Sequence, residues 1–179
     1  IKILTGGDQG ALGRFANETR VGQVVDHPSI TQVLGSGSLG RQGAYMAMEL
    51  VQGRTLREVL DREAPIAPPR LARWLDQILA GVHCAHGQGI IHRDLKPDNI
   101  MLVDEDGRER IQLLDFGLAK LRDTGSQMAL TAAGMVIGTL SYMSPEQLAA
   151  ETVDQRTDIF ALGAIASEAL TGKLPFFAP

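Results

Sequence analysis

Residues 92–99 read His92, Arg93, Asp94, Leu95, Lys96, Pro97, Asp98, Asn99. Within eight positions stand two carboxylates, an amide, an imidazole, an ammonium, a guanidinium and a proline. No core strand or helix tolerates that density of charge, so the run has to be a loop. Apolar residues flank it, Ile90 and Ile91 before and Ile100, Met101 and Leu102 after. Its polar groups are therefore held on a rigid base and not on a free tail.

The rest of the chain is an ordinary folded composition. With 179 residues, 44% hydrophobic and 21% charged, it is long enough for one sizeable core and is neither disordered nor collagenous. A formal net charge of -4 gives no electrostatic case for nucleic acid or an anionic membrane as partner. The single cysteine, Cys84, cannot close an internal disulfide and fits a reducing compartment, so a cytoplasmic location is expected. The longest nearly apolar run, residues 159–170, is interrupted by Ser167 and Glu168 and is too short to span a bilayer. No signal peptide is visible, and because the chain starts at Ile1, a tether supplied by segments outside it is left open.

Hydrophobic periodicity gives the elements. Residues 1–4 read as the end of a strand, broken by Thr5, Gly6 and Gly7, and residues 8–25 as a weak helix stopped by His27 and Pro28. Strands follow near residues 30–34 and 44–51, joined by Gly35, Ser36, Gly37, Ser38, Leu39 and Gly40. That run is a literal GxGxxG, but a strand follows it where a dinucleotide loop needs a helix, so it is read as a hairpin connection. Thr55 and Glu58 form a capping box that starts a helix through Leu60. Pro65, Pro68 and Pro69 separate it from a stronger helix carrying Leu71, Trp74, Leu75, Ile78, Leu79 and Val82, which Gly87 and Gly89 end. Beyond the polar loop, strands at 100–103 and 111–114 flank an Asp104 to Gly107 turn. Residues 115–146 then read as a long loop. From Asp158 a helix apolar nearly all round begins, which is expected to be buried.

In the polar loop an acid (Asp94), a cation two residues on (Lys96) and an amide five residues on (Asn99) suit phosphoryl transfer. The carboxylate can orient a hydroxyl, the ammonium can face phosphate oxygens and the amide oxygen can bind Mg²⁺. HRDLKPDN resembles the catalytic loop of the eukaryotic-like serine/threonine protein kinases. Asp115, Phe116 and Gly117, sixteen positions after Asn99, resemble the family's DFG element. Ser144, Pro145 and Glu146 resemble its APE element, with serine for alanine, and Gly138 and Thr139 its GT pair. Lys2 is similar to the family's strand lysine and Glu18 to the helix glutamate that pairs with it. Residues 45–51 resemble the strand into the adenine hinge, with Met48 as gatekeeper and Glu49 and Val51 offering main-chain groups.

The resemblance implies an α+β, protein-kinase-like two-lobe fold. Residues 1–51 would form a partial, β-rich small lobe and 52–179 a partial, mostly helical large lobe. It implies ATP as co-substrate, Mg²⁺ with Mn²⁺ as its alternative, and a protein substrate bearing a serine or threonine hydroxyl. Self-association for autophosphorylation is a further partner it allows. Asp94 would orient the hydroxyl and Lys96 neutralise the migrating phosphate, while Asn99 and Asp115 hold the metal and Lys2, locked by Glu18, positions the α- and β-phosphates. His92, Phe116, Gly117, Glu146 and Asp158 would be structural, Asp158 holding the catalytic loop's main chain; as a plain residue it reads as a helix N-cap. Thr139 would bond Asp94 and Lys96. Arg93 marks the class in which a phosphate on the activation segment binds an arginine pocket. Thr124, Ser126 and Thr131 are the candidates, with Thr131 favoured because it lies eight residues before Thr139.

The family's glycine-rich loop before Lys2 and its helices after Pro179 are not in these 179 residues. Glu146 is therefore expected to be a buried carboxylate lacking its arginine, and the chain alone poorly stable and little active. The rival readings are a pseudokinase-like binding module, disfavoured by the intact Asp94, Asn99 and Asp115, and a small-molecule phosphotransferase, disfavoured by Lys96 and the GT and SPE elements. His83, Cys84 and His86 are too crowded at a helix end to read as a metal site, and packing is the better reading.

Overall fold

A computed structural model describes residues 1–5, 24–40, 43–115 and 140–176. Two small antiparallel sheets and two long helices carry the architecture. In the first sheet β1 (Lys2–Thr5) pairs with β3 (Gly43–Met48), which pairs in turn with β2 (Val33–Ser38), giving the order β1-β3-β2. Lys2 stands opposite Met46, and Met46 is the buried anchor of this sheet.

The expected glycine-rich connection is strand here: Gly35, Ser36 and Gly37 pair with Ala47, Met46 and Tyr45 after a register shift at Val33. A Cβ at Gly37 would stand 2.6 Å from the Tyr45 ring, so the aromatic fills the place where a side chain would be. The hairpin reading stands, but its turn falls after Ser38, and β3 ends at Met48 and not at Val51.

Residues 30 and 31 do not open β2 as expected. Thr31 N–H donates to Leu113 O at 2.9 Å and Leu113 N–H to Ser29 O at 2.8 Å, so this segment forms a parallel bridge to the second sheet. That sheet has the order β4 (Arg54–Thr55), β5 (Ile100–Glu105), β6 (Arg108–Leu113). Asp106 (φ 53) and Gly107 (φ 80) turn the β5–β6 hairpin, both in the left-handed conformation that two-residue hairpin loops demand. The two-residue β4 was not expected; it is too short to show a period.

The capping box at Thr55 and Glu58 starts α1 (Leu56–Glu63), which runs past the expected Leu60. Pro68 and Pro69 open α2 (Pro68–Gly87) instead of preceding it, because a proline in the first turn forfeits no intrahelical bond. Of the α2 stripe, Leu71, Trp74, Ile78 and Val82 are buried as the period predicts and Leu75 is half-buried, but Leu79 is 45% exposed and leaves the core. At Gly81 a Cβ would come within about 3.5 Å of Leu113, Ser29 and Ile30, so the missing side chain lets residues 29–30 and β6 close onto the helix. The last helices are the four-residue α3 (Pro145–Leu148) and α4 (Arg156–Thr171), stopped by left-handed Gly172. Ala161, Leu162, Ile165 and Ala169 of α4 join the core, but Ile159 and Leu170 are about half exposed, so α4 buries one side and not its full circumference. No helix among the described residues is long and apolar enough to cross a membrane.

Candidate active site

Asp158 organises the loop at 92–99. Helix α4 starts at Arg156, so Asp158 lies inside its first turn; the N-cap is Gln155, and the N-cap reading of Asp158 is corrected. Its side chain is 1% exposed and faces the loop: Oδ2 accepts from His92 N–H and Oδ1 from Arg93 N–H, both at 2.9 Å. His86 Nε2 lies 2.7 Å from the same Oδ2, so that histidine is engaged in packing at the helix end. Arg93 has φ 65, a conformation costing a non-glycine residue about 1–2 kcal/mol, and the carboxylate bond to its N–H offsets that strain.

His92 carries the order forward. Its ring is fully buried; Nδ1 accepts from Asp94 N–H at 3.3 Å and Nε2 faces Leu114 O at 3.0 Å. Both contacts suit a neutral imidazole with its proton on Nε2. Burial pushes its pKa below the usual histidine range, outweighing the pull of the Asp158 carboxylate. Leu114 N–H in turn donates to Asn99 O at 2.9 Å. Both main-chain groups of Leu114 are thus bonded to the 92–99 loop, and the next residue is Asp115.

Asn99 Nδ2 donates to Asp94 O at 2.8 Å and to Asp94 Oδ2 at 3.1 Å, and Lys96 Nζ stands 3.1 Å from the same carboxylate oxygen. Asn99 thereby spends its NH₂ inside the loop and keeps an amide oxygen as acceptor. Asp115 also has a left-handed backbone, φ 55, and its Oδ1 pairs with Lys2 Nζ at 3.2 Å. Strand β1 therefore reaches the end of β6 through that ion pair. Past the end of β3, Glu49 N–H donates to Gln32 O at 3.0 Å, so of the two main-chain groups at Glu49 only the carbonyl lacks a main-chain partner among the described residues, as does Val51 N–H. The Glu49 carboxylate accepts from Gln32 N–H at 3.1 Å and from the Gln112 amide, which also accepts from Arg110. Met48 closes β3 opposite Val33.

Glu146 is corrected: it is partly exposed, and Thr157 Oγ1 donates to it at 2.7 Å. That bond lowers its pKa, and the cost expected of a buried unpaired carboxylate does not arise. Glu18, Phe116, Gly117, Thr124, Ser126, Thr131, Gly138 and Thr139 lie outside the described residues.

Two groupings escaped the sequence reading. Glu168, 5% exposed, accepts from Arg57 at 2.8 Å and from the Tyr142 hydroxyl at 2.5 Å, joining α1, α4 and the approach to α3. Burial and this bond raise the Tyr142 pKa; for Arg57, burial lowers it but the Glu168 bond outweighs that, leaving it raised. A lone carboxylate in an apolar helix was the available signal. The second is Gln147, whose Nε2 donates to Arg93 O at 2.7 Å; the Ser144-x-x-Gln147 pattern signals a capping box, but nothing local signals the bond to Arg93.

The fold thus sets two small sheets around a polar loop that a buried helix carboxylate pins and that Leu114 ties to the residue before Asp115. Residues 2–179 match the family described as the protein kinase domain, and the chain belongs to it. It is 41% identical over 171 residues to the serine/threonine-protein kinase pkn3 of Myxococcus xanthus, covering 94% of this chain and 31% of that protein. It is 40% identical over 167 residues to PknB of Mycolicibacterium smegmatis, covering 91% of this chain and 26% of that one. The kinase domain of PknI from Mycobacterium tuberculosis, a solved double mutant, superposes with a TM-score of 0.69 at 29% identity, over 95% of this chain and 61% of that one. The chain thus spans under a third of the two curated relatives' length, and its fold is that of the kinase domain.

Proposed function

We propose that these residues form the core of a serine/threonine protein kinase that transfers the γ-phosphate of ATP to protein hydroxyls, with 1–51 contributing to the small lobe and 52–179 to the large one. The observation that supports this reading is the double tether of Leu114 to His92 and Asn99, which ties the residue before Asp115 to the loop that carries Asp94 and Asn99.

Asp94 orients the incoming hydroxyl. A carboxylate is too weak a base to strip that proton in advance, and in a loose transition state it need not, because the proton leaves late. Lys96, already beside Asp94, faces the migrating phosphoryl oxygens. The Asn99 amide oxygen and the Asp115 carboxylate are two hard oxygen donors, a set that fits Mg²⁺, which keeps its remaining positions for water and phosphate. When bound, that ion neutralises charge between the phosphates. Lys2, paired with Asp115, would exchange that carboxylate for phosphate oxygens, with Glu18 as its partner. Glu49 O and Val51 N–H meet the adenine edge behind Met48. By the family resemblance Arg93 would receive a phosphate carried by Thr131, and Thr139 would bond Asp94 and Lys96.

The test is transfer of labelled phosphate from ATP and Mg²⁺ to a serine- or threonine-bearing protein by the longest available form of the chain, against its Asp94→Asn variant. Transfer that Asp94→Asn abolishes supports the reading. Nucleotide binding with no transfer would favour a binding module instead. Phosphopeptide mapping of the same reaction is expected to find Thr131 or its neighbours modified, and phosphate only outside residues 120–135 refutes that assignment.

A further inference from the structure

Arg93 is gripped on both sides of its strained residue. Asp158 holds the N–H, and the carbonyl accepts from Gln147 Nε2 at 2.7 Å. The same glutamine turns its Oε1 to Ser144 N–H at 3.1 Å, closing the first turn of α3. One side-chain amide therefore spans the end of the 116–144 segment and the peptide that precedes Asp94. The neighbouring contacts fix that end of the bridge: Ser144 is fully buried, its Oγ stands 3.2 Å from Thr157 Oγ1, and Thr157 is one residue before Asp158. Arg93, Asp94, Tyr142, Met143 and Gln147 line one depression, so the bridge lies beside Asp94 and not remote from it.

We infer that Gln147 is a positioning residue, and that its amide couples the seating of α3 to the placement of Asp94. The inference rests on the phosphotransfer reading above for its effect on rate, but not for its effect on the loop. The two ends of the amide do different things. As acceptor, Oε1 caps a helix, a task a glutamate performs equally well. As donor, Nε2 holds the Arg93 carbonyl, which a carboxylate can only repel. Gln147→Glu therefore keeps the cap and removes the grip, in a side chain of the same shape.

Two measurements on Gln147→Glu decide the matter, with the melting temperature as the check that the cap survives. Hydrogen exchange is expected to show the amides of residues 92–95 losing protection while those of α2 keep theirs, and this reads out whether or not phosphate is transferred. In the transfer assay kcat is expected to fall about tenfold to a hundredfold with KM for ATP unchanged, the pattern of a misplaced catalytic group. Unchanged exchange at 92–95 overturns the inference, and so does lost protection with an undiminished kcat. A wild-type chain that transfers no phosphate to any acceptor sinks the proposed function instead, and the exchange result still decides whether Gln147 holds the loop.

Discussion

The carboxylate of Asp158 can be removed by one isosteric change, Asp158→Asn, whose cost follows from the bonds it breaks. Oδ1 serves Arg93 N–H and Oδ2 serves His92 N–H, with His86 Nε2 beside it. An asparagine has one acceptor oxygen; whichever way its amide turns, its NH₂ must face one of the two main-chain donors. A buried N–H left without an acceptor costs about 1–3 kcal/mol. The surviving bond also drops from charge-assisted to neutral, which roughly halves it. Together these predict a loss of about 2–4 kcal/mol for Asp158→Asn and about 2–6 for Asp158→Ala, where both donors are orphaned. Against a total of about 5–15 kcal/mol, either is a large fraction. The chain has one tryptophan, Trp74, which is 1% exposed in the core, so its fluorescence reports urea unfolding without a label. An Asp158→Asn variant unfolding within about 0.5 kcal/mol of the wild type, the range of ordinary surface changes, would refute the reasoning.

The Arg57, Tyr142 and Glu168 cluster predicts that Glu168→Leu alone costs about 3 kcal/mol, the low end for a broken buried pair because Arg57 is 30% exposed. Adding Arg57→Leu and Tyr142→Phe is expected to recover most of that in the same urea assay. Acidification should destabilise the chain in two stages. The lowered pKa of buried His92 gives a stability present above about 6.5 and lost as pH falls below it, because the unfolded chain takes the proton first. Glu63 and Glu109, lowered by their bonds to Arg70, give a stability present above about 4.3 and lost on further descent. Urea midpoints against pH check both, and Glu109→Gln should blunt the lower stage. Among the glycines, Gly53→Ala would set a Cβ 2.3 Å from Leu102 O and is expected to cost about 1–3 kcal/mol. Gly35→Ala meets nothing within 4 Å, so stability and KM for ATP should both stay put.

Much of the fold was legible because it is local. The capping box, the α2 stripe and the Asp104–Gly107 turn each announce themselves within a few residues. The polar loop was legible because its charge density excludes every other placement. Gly35 and Gly37 were misplaced because glycine weakens strands, and only the partner Tyr45, eight residues beyond Gly37 in sequence, supplies the missing packing. Residue patterns alone read Asp158 as an N-cap because its tertiary partners lie more than sixty residues away; only the family resemblance set it against the main chain of the 92–99 loop, where His92 and Arg93 N–H donate to it. The bond of Gln147 to Arg93 was invisible for the same reason. The family resemblance nominated Asp94, Asn99 and Asp115, but the tether through Leu114 is a main-chain matter that residue identities do not encode.

The parallel bridge of residues 29–31 to Leu113 separates order along the chain from order of cooperative opening. This stretch precedes the β2–β3 hairpin, yet its peptide groups are knitted to β6 and its side chains rest on Gly81 of α2. A chain cut to begin at residue 52 would strip the flank of β6 and uncover that helix face, even though no residue of the later segment had been removed. Separating the halves means carrying 24–31 along with the helices, and what then parts is the first sheet, held to the second by Lys2 on Asp115 and by Glu49 on Gln112.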